Sequence, residues 1–256
     1  MTKAKDLVII YRTCDKVDAV SGHPRIQPKK EVIKRCSNSL VRAVDYYIHH
    51  NTKDPKDVYL YTIDDHSSDE TKTHLKDNVN KGYDFIELDT TGNSESLKTC
   101  YTLADSMDED CLIFFLEDDY LLEHTALDEM VFLHDVLSNT KQIITHPVDY
   151  IDRYKKLYDS KILLGKSVHW RTIHHTTGTF MIPKSIFTEC RINYTKFTDY
   201  GVVPGVTEDN SINLTYSKYP CFSPMPSLGH HYQYLHTLSP YSNHQKLWEI
   251  NANPSR

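Results

Sequence analysis

Residues 111–120 read CLIFFLEDDY: a short apolar run, then Glu117, Asp118 and Asp119 in sequence, then Tyr120. An apolar run this short and rich in aromatic residues fits a strand buried on both faces. It ends in three carboxylates that repel one another unless solvent or a cation offsets them. In parallel α/β sheets, ligands bind beyond the carboxyl ends of the strands. Acids there suit a hard divalent ion, which keeps waters and takes further oxygens from a substrate's phosphates. On its own the triplet reads equally well as a solvated acidic turn opening the next helix.

Working outward, residues 7–11 (LVIIY), 58–63 (VYLYTI) and 85–88 (FIEL) read as further strands. Helices are predicted over 31–50, 70–80, 96–106 and 125–137, the first because Val32, Ile33, Leu40, Val41, Val44, Tyr47 and Ile48 recur at helical spacing. Strands alternating with helices over 7–137 imply a mostly parallel sheet covered on both faces. Beyond 140 the pattern is less regular, with strands expected at 142–145, 168–173 and 179–182. Gly22 and Pro24 mark a loop at 21–27, and Pro204, Gly205, Pro220, Pro224, Pro226 and Gly229 mark later loops.

The length, 256 residues, suits one α/β domain, and the net charge of −6 with mixed signs argues against a broad surface for non-specific nucleic-acid binding. Two basic clusters, one at Lys29, Lys30, Lys34 and Arg35, the other at Arg153, Lys155 and Lys156, read as solvated faces. The six cysteines are scattered with no CxxC pair, which fits reduced thiols in a cytoplasmic protein. The first residues lack the apolar core of a signal peptide, and no apolar run approaches the about 20 residues of a membrane span. The sequons at Asn193 and Asn213 are therefore read as incidental. The aromatic tail (Tyr232, Tyr234, Tyr241, Trp248) reads as packing rather than as a stacking platform.

Three further signals are modest one by one. Asp64 and Asp65 follow VYLYTI, where a carboxylate accepts hydrogen bonds from a base or a ribose; a helix cap using Ser67, Ser68 or Asp69 is the plainer reading. Thr207-Glu208-Asp209 offers carboxylates for general-base work, or again a cap. Gly229-His230-His231 offers imidazole to a metal, but with 15 histidines a pair is weak, as His174-His175 shows.

In this order, the signals resemble glycosyltransferase family 2 and its GT-A relatives over residues 7–231. DDHSSDET at 64–71 and FFLEDDY at 114–120 are the most specific pieces. The resemblance implies a single GT-A-type α/β domain over 1–256, with a nucleotide-sugar-binding half (1–120) and an acceptor-binding half (121–256). It places Tyr11, Arg12 and Thr13 against the nucleotide, Asp64 or Asp65 on the base, and Asp118 on the ribose. Glu117-Asp118-Asp119 would be the DxD-type motif, with Asp119 on Mn²⁺ or Mg²⁺, Glu117 beside it, and His230 or His231 completing the metal site. Asp209 would be the base of an inverting transfer, with Glu208 beside it. Gly178 and Thr179, in the turn Thr177-Gly178-Thr179, would lie on the acceptor side, and Lys98 and Asn93 would be donor contacts. The donor would be a UDP-sugar; the acceptor would be a glycan, a small molecule or a modified nucleic-acid base. The sequence departs from the pattern in its EDD triplet, in His66 where the family's turn has glycine, and in the Ser96–Ser106 helix. Competing readings are a sugar-nucleotide nucleotidyltransferase, disfavoured because YRTCDK has no phosphate-loop glycine, and a non-catalytic nucleotide-sugar-binding protein.

Overall fold

The computed structural model describes residues 3–16, 25–50, 56–176 and 178–254, so Ser21 to Pro24 of the first expected loop and Thr177 lie outside the described residues. The first part of the chain alternates as expected: β1 (Asp6–Thr13), α1 (Lys29–His50), β2 (Asp57–Asp64), α2 (Asp69–Asn78), β3 (Asp84–Glu87), α3 (Asn93–Asp105) and β4 (Cys111–Glu117). There follow β5 (Tyr120–Leu122), α4 (Ala126–Leu137), β6 (Ile144–Thr145), β7 (Ile162–Leu164), β8 (His169–Ile173) and β9 (Phe180–Pro183). The chain continues through α5 (Lys184–Glu189), α6 (Arg191–Phe197), α7 (Leu214–Lys218), β10 (Cys221–Met225), β11 (Gly229–His231) and α8 (His244–Ile250).

Nine strands form one sheet in the order β3-β2-β1-β4-β9-β6-β10-β8-β7. β3, β2, β1 and β4 run parallel, and antiparallel β9 joins β4 to β6. The expected architecture therefore forms: an α/β sheet, parallel over β3, β2, β1 and β4, flanked by helices. Side-chain alternation sorts the core into two layers. Leu7, Ile9, Leu112 and Phe114 face α1 and α4. Val8, Ile10, Ile113 and Phe115 face α3, α5 and α6.

Pro224 and Gly229, expected to mark loops, lie instead in β10 and β11. Proline lacks the N–H a central strand needs. Here β10 pairs with β6 only at Cys221 and Phe222, so Pro224 lies where only β8 remains as a neighbour. β5 and β11 form a separate two-stranded ribbon at the end of β4. α8 is clasped to α1: Arg35 Nη1 donates to Trp248 O at 2.7 Å and Asn38 Nδ2 to Asn251 O at 3.0 Å. Tyr232 stacks on Trp248 at 4.4 Å, so this part of the aromatic tail packs, whereas Tyr241 is exposed. All six cysteines are free. Among the described residues no helix is long and apolar enough to cross a membrane. Arg153 is not on a solvated face: it is buried and holds His175 through Nη1–Nε2 at 2.6 Å.

Candidate functional site

The parallel strands end level with one another. The register sets Thr13 beside Asp64 and Arg12 beside Glu117. Beyond these ends lies a pocket of about 280 Å³ whose lining includes Arg12, Arg25, Lys29, Asp65 and the acid triplet. An apolar groove of about 530 Å³ near β7 and β8 and a cavity of about 250 Å³ at the amino end of β4 hold none of the expected site residues.

The two aspartates after β2 part company. Asp64 is fully buried and accepts from Thr13 Oγ1 at 2.8 Å and Ser67 N at 3.0 Å, which ties β2 to β1. Asp65 lines the pocket, with one oxygen accepting from Gly92 N at 2.9 Å. Between them and α2, His66 adopts φ = 57°, the left-handed region where glycine costs least. The departure from the family's turn glycine is thus a side chain placed in the glycine conformation. Ser68 is the N-cap of α2 but makes no side-chain cap bond. Asp15 takes over: it accepts from Ser68 N at 3.0 Å, Ser68 Oγ at 2.5 Å and Thr71 Oγ1 at 2.6 Å.

The acid triplet is divided among different partners. Glu117 Oε1 accepts from Arg12 Nη2 at 2.5 Å, and Arg12 Nη1 also donates to Asn93 Oδ1 at 2.6 Å and Ser96 Oγ at 3.1 Å. Gly178 lies against Glu117, where an added Cβ would come within 2.9 Å of the carboxyl. Thr179 Oγ1 accepts from Glu117 N at 3.1 Å. Asp118 accepts from Cys14 N at 2.8 Å and from Lys29 Nζ. Asp119 faces Lys29 Nζ with Oδ2 at 3.3 Å and His231 Nε2 with Oδ1 at 3.4 Å. Burial alone would raise the Asp119 pKa; Lys29 and His231 outweigh it and hold the carboxyl well below its ordinary value. Burial likewise works against the charge on Lys29, and the two aspartates overcome it and raise its pKa.

The ribbon delivers His231. It lies opposite Tyr120 in the β5–β11 pairing, stacks on that ring at 4.6 Å, and shares a hydrogen bond with Tyr150 Oη at 3.1 Å through Nδ1. His230 points to the other side of the ribbon, as neighbouring strand residues must. It is buried 6.2 Å from the His244 ring, and burial pushes its pKa down to about 4. The geometry therefore brings Asp119 and His231 together and leaves Glu117 with Arg12 and His230 in the core. Among the described residues no group of three or more His, Cys, Asp or Glu is arranged around a metal. The Asp119–His231 pair still fits a divalent ion that takes its remaining oxygens from phosphates and water, because the two ligand atoms converge at 3.4 Å.

Glu208 is half-buried, and burial, then Glu117 and Asp209, push its carboxyl up to about 7. Asp209 is exposed and accepts from Asn213 Nδ2 at 3.0 Å. Tyr11 is buried in the core, and Lys98 pairs with Glu95 at 2.8 Å on the outer side of α3, away from the pocket lining. Sequence reasoning missed Arg25 and Lys29. Lys29, expected on a solvated face, is buried between two aspartates about ninety residues away in sequence. No local pattern marks such a pair; its only trace is a cation at the start of a helix.

Fold and site together define a mixed α/β domain with a pocket of paired acids and cations at the carboxyl ends of its parallel strands. Among solved structures the chain is similar to S. aureus TarS 1-349 in complex with UDP, at 14% identity and TM-score 0.48, over 96% of this chain and 65% of that one. It is also similar to S. aureus TarS 1-349 without that ligand, at 11% and 0.46, over 75% of this chain and 55% of that one. A third likeness is to M. tuberculosis glucosyl-3-phosphoglycerate synthase in complex with Mn²⁺, UDP-glucose and phosphoglyceric acid, at 11% and 0.41, over 77% and 66%. The chain thus spans between about half and two thirds of the length of these proteins. No protein-family model matches the chain, and no curated protein does.

Proposed function

We propose that the chain is a glycosyltransferase that moves a sugar from a nucleotide-sugar donor, a UDP-sugar, to an acceptor hydroxyl with inversion. The observation that carries this reading is the convergence of Asp119 and His231 beside Asp65, Asp118 and three cations, all at the carboxyl ends of β1, β2 and β4. Such a pocket matches a ligand with hydrogen-bonding base and ribose groups and a diphosphate. The motifs DDHSSDET and FFLEDDY, read by resemblance, assign Asp64 or Asp65 to the base, Asp118 to the ribose and Asp119 to the metal.

In this reading Asp65 accepts the base N–H and Asp118 a ribose hydroxyl. Asp119 and His231 would hold Mn²⁺ or Mg²⁺, which when bound supplies positive charge to the leaving diphosphate. Arg12 holds Glu117, and Gly178 packs against that carboxyl. The acceptor oxygen bonds to the anomeric carbon as the carbon–diphosphate bond breaks, and a carboxylate receives the acceptor's proton. By resemblance that carboxylate is Asp209. A second assignment, Glu208, is favoured by its half-burial, its electrostatic contact with Glu117 and a pKa of about 7, close to what a general base needs. The donor site draws on both proposed halves, since His231 belongs to the second.

Thermal denaturation against UDP-, GDP-, CMP- and TDP-sugars, with and without Mn²⁺, tests the function. The expected outcome is a shift with one nucleotide class that requires Mn²⁺. No shift with any of them would sink the donor-site reading.

A further inference from the structure

We propose that Lys29, assisted by Arg25, is a resident cation that makes divalent-ion binding depend on the nucleotide, so the ion is held firmly only when a nucleoside diphosphate is present. This rests on the donor and metal reading of the same pocket. Three observations support it. The side chain of Lys29 is 10% exposed, and its ammonium contacts both Asp118 and Asp119. Arg25 Nη1 stands 3.9 Å from Asp119 Oδ2, and among the described residues its buried Nε and Nη1 have no hydrogen-bond partner. The two oxygens of Asp119 are divided, Oδ1 toward His231 and Oδ2 toward the two cations.

The charges follow. The two carboxylates of Asp118 and Asp119 are already matched by the two cations Lys29 and Arg25 before any ion arrives. A divalent ion held by Asp119 Oδ1 and His231 would add positive charge that these four groups do not offset. Uncompensated charge in a desolvated site is costly. A diphosphate would restore the balance, offering oxygens both to the ion and to the Arg25 donors and Lys29. Each ligand then raises the affinity of the other by the same factor. Lys29 is a positioning residue in this scheme, because it also fixes which oxygen of Asp119 faces His231.

The test measures Mn²⁺ binding by the electron-paramagnetic-resonance signal of free Mn²⁺. The full chain is titrated alone, with UDP and with GDP, as wild type, Lys29→Gln, Arg25→Gln and Asp119→Asn. In the wild type we expect the nucleotide to tighten Mn²⁺ binding by about tenfold or more. In Lys29→Gln, Mn²⁺ alone should bind about tenfold more tightly than in the wild type, and the nucleotide's enhancement should shrink accordingly. Arg25→Gln should change in the same direction, which keeps the test open if Lys29→Gln misfolds. Unchanged or weaker Mn²⁺ binding in both variants, with nucleotide-dependent binding intact in the wild type, overturns the coupling role alone. Wild type that binds no Mn²⁺ with either nucleotide, or binds it no better than Asp119→Asn, overturns the metal reading itself.

Discussion

Glu208 titrates where a general base works best, because a half-buried carboxyl facing Glu117 and Asp209 resists ionisation until about pH 7. If Glu208 takes the proton, turnover rises with pH through about 7 and Glu208→Gln loses both the rate and that limb. If Asp209 does, Asp209→Asn loses the rate and Glu208→Gln keeps much of it; pH–rate profiles of the two variants decide. Stability gives an independent reading. The folded chain keeps the Glu208 proton up to about 7 while the unfolded chain releases it near the ordinary 4.5. This group's contribution is therefore full below the ordinary value and lost as pH rises through the folded one. Glu208→Gln should flatten that fall in denaturant melts between about pH 5 and about pH 8. Asp119 has the opposite sign: its lowered pKa contributes above the ordinary carboxyl range and is lost in acid. Gly178→Ala should push the Glu117 carboxyl off Arg12, because the new Cβ would stand 2.9 Å from it. A loss of about tenfold to a hundredfold in kcat with the melting temperature nearly kept is the expected result. Asp65, Asp118 and Asp119, which line the pocket, stand in short motifs that the sequence already singled out, with Asp64 as the alternative to Asp65. Lys29 was not legible there, because its partners are far along the chain and nothing local distinguishes it from a solvated lysine.

Among the elements, β4 carries the most load: it lies between β1 and β9, and Cys111 to Leu116 are all buried. Phe114→Ala should cost about 3–5 kcal/mol, read as a lower denaturant midpoint at unchanged slope. The same burial is why this strand was the clearest one in the sequence, as an apolar run this short and rich in phenylalanine favours a buried strand over a helix. The parallel half was legible for that reason and because its helices are long enough to show their period. The second half was not. α5, α6 and α7 span 6, 7 and 5 residues, too short for a helical repeat to declare itself. β5 and β11 have 3 residues each, and their pairing is set by tertiary context. That ribbon decides which histidine reaches Asp119, so the choice between His230 and His231 was open in the sequence and follows from strand alternation once β11 exists.

For the molecule as a whole, a donor that binds only the folded chain stabilises it by mass action, about 2.7 kcal/mol at a hundredfold excess over Kd. For a domain of this size that is roughly 5–10 °C in melting temperature. The gain should require Mn²⁺ and vanish in Asp119→Ala, whose melt without ligand stays cooperative; an equal gain in that variant would remove Asp119 from the site. The clasp of α8 on α1 has a consequence in time as well as in space. Arg35 and Asn38, on α1 soon after Lys29, reach carbonyls 213 residues further along. While the chain is still emerging from the ribosome, strands β1 to β4 can pair, but the outer flank of α1 stays bare until residues 244–251 have been made. A nascent chain stalled before that point should expose Val32 and Cys36, which Leu247 and Trp248 otherwise help cover, and so be a target for chaperones while the pocket at the strand ends is still unfinished.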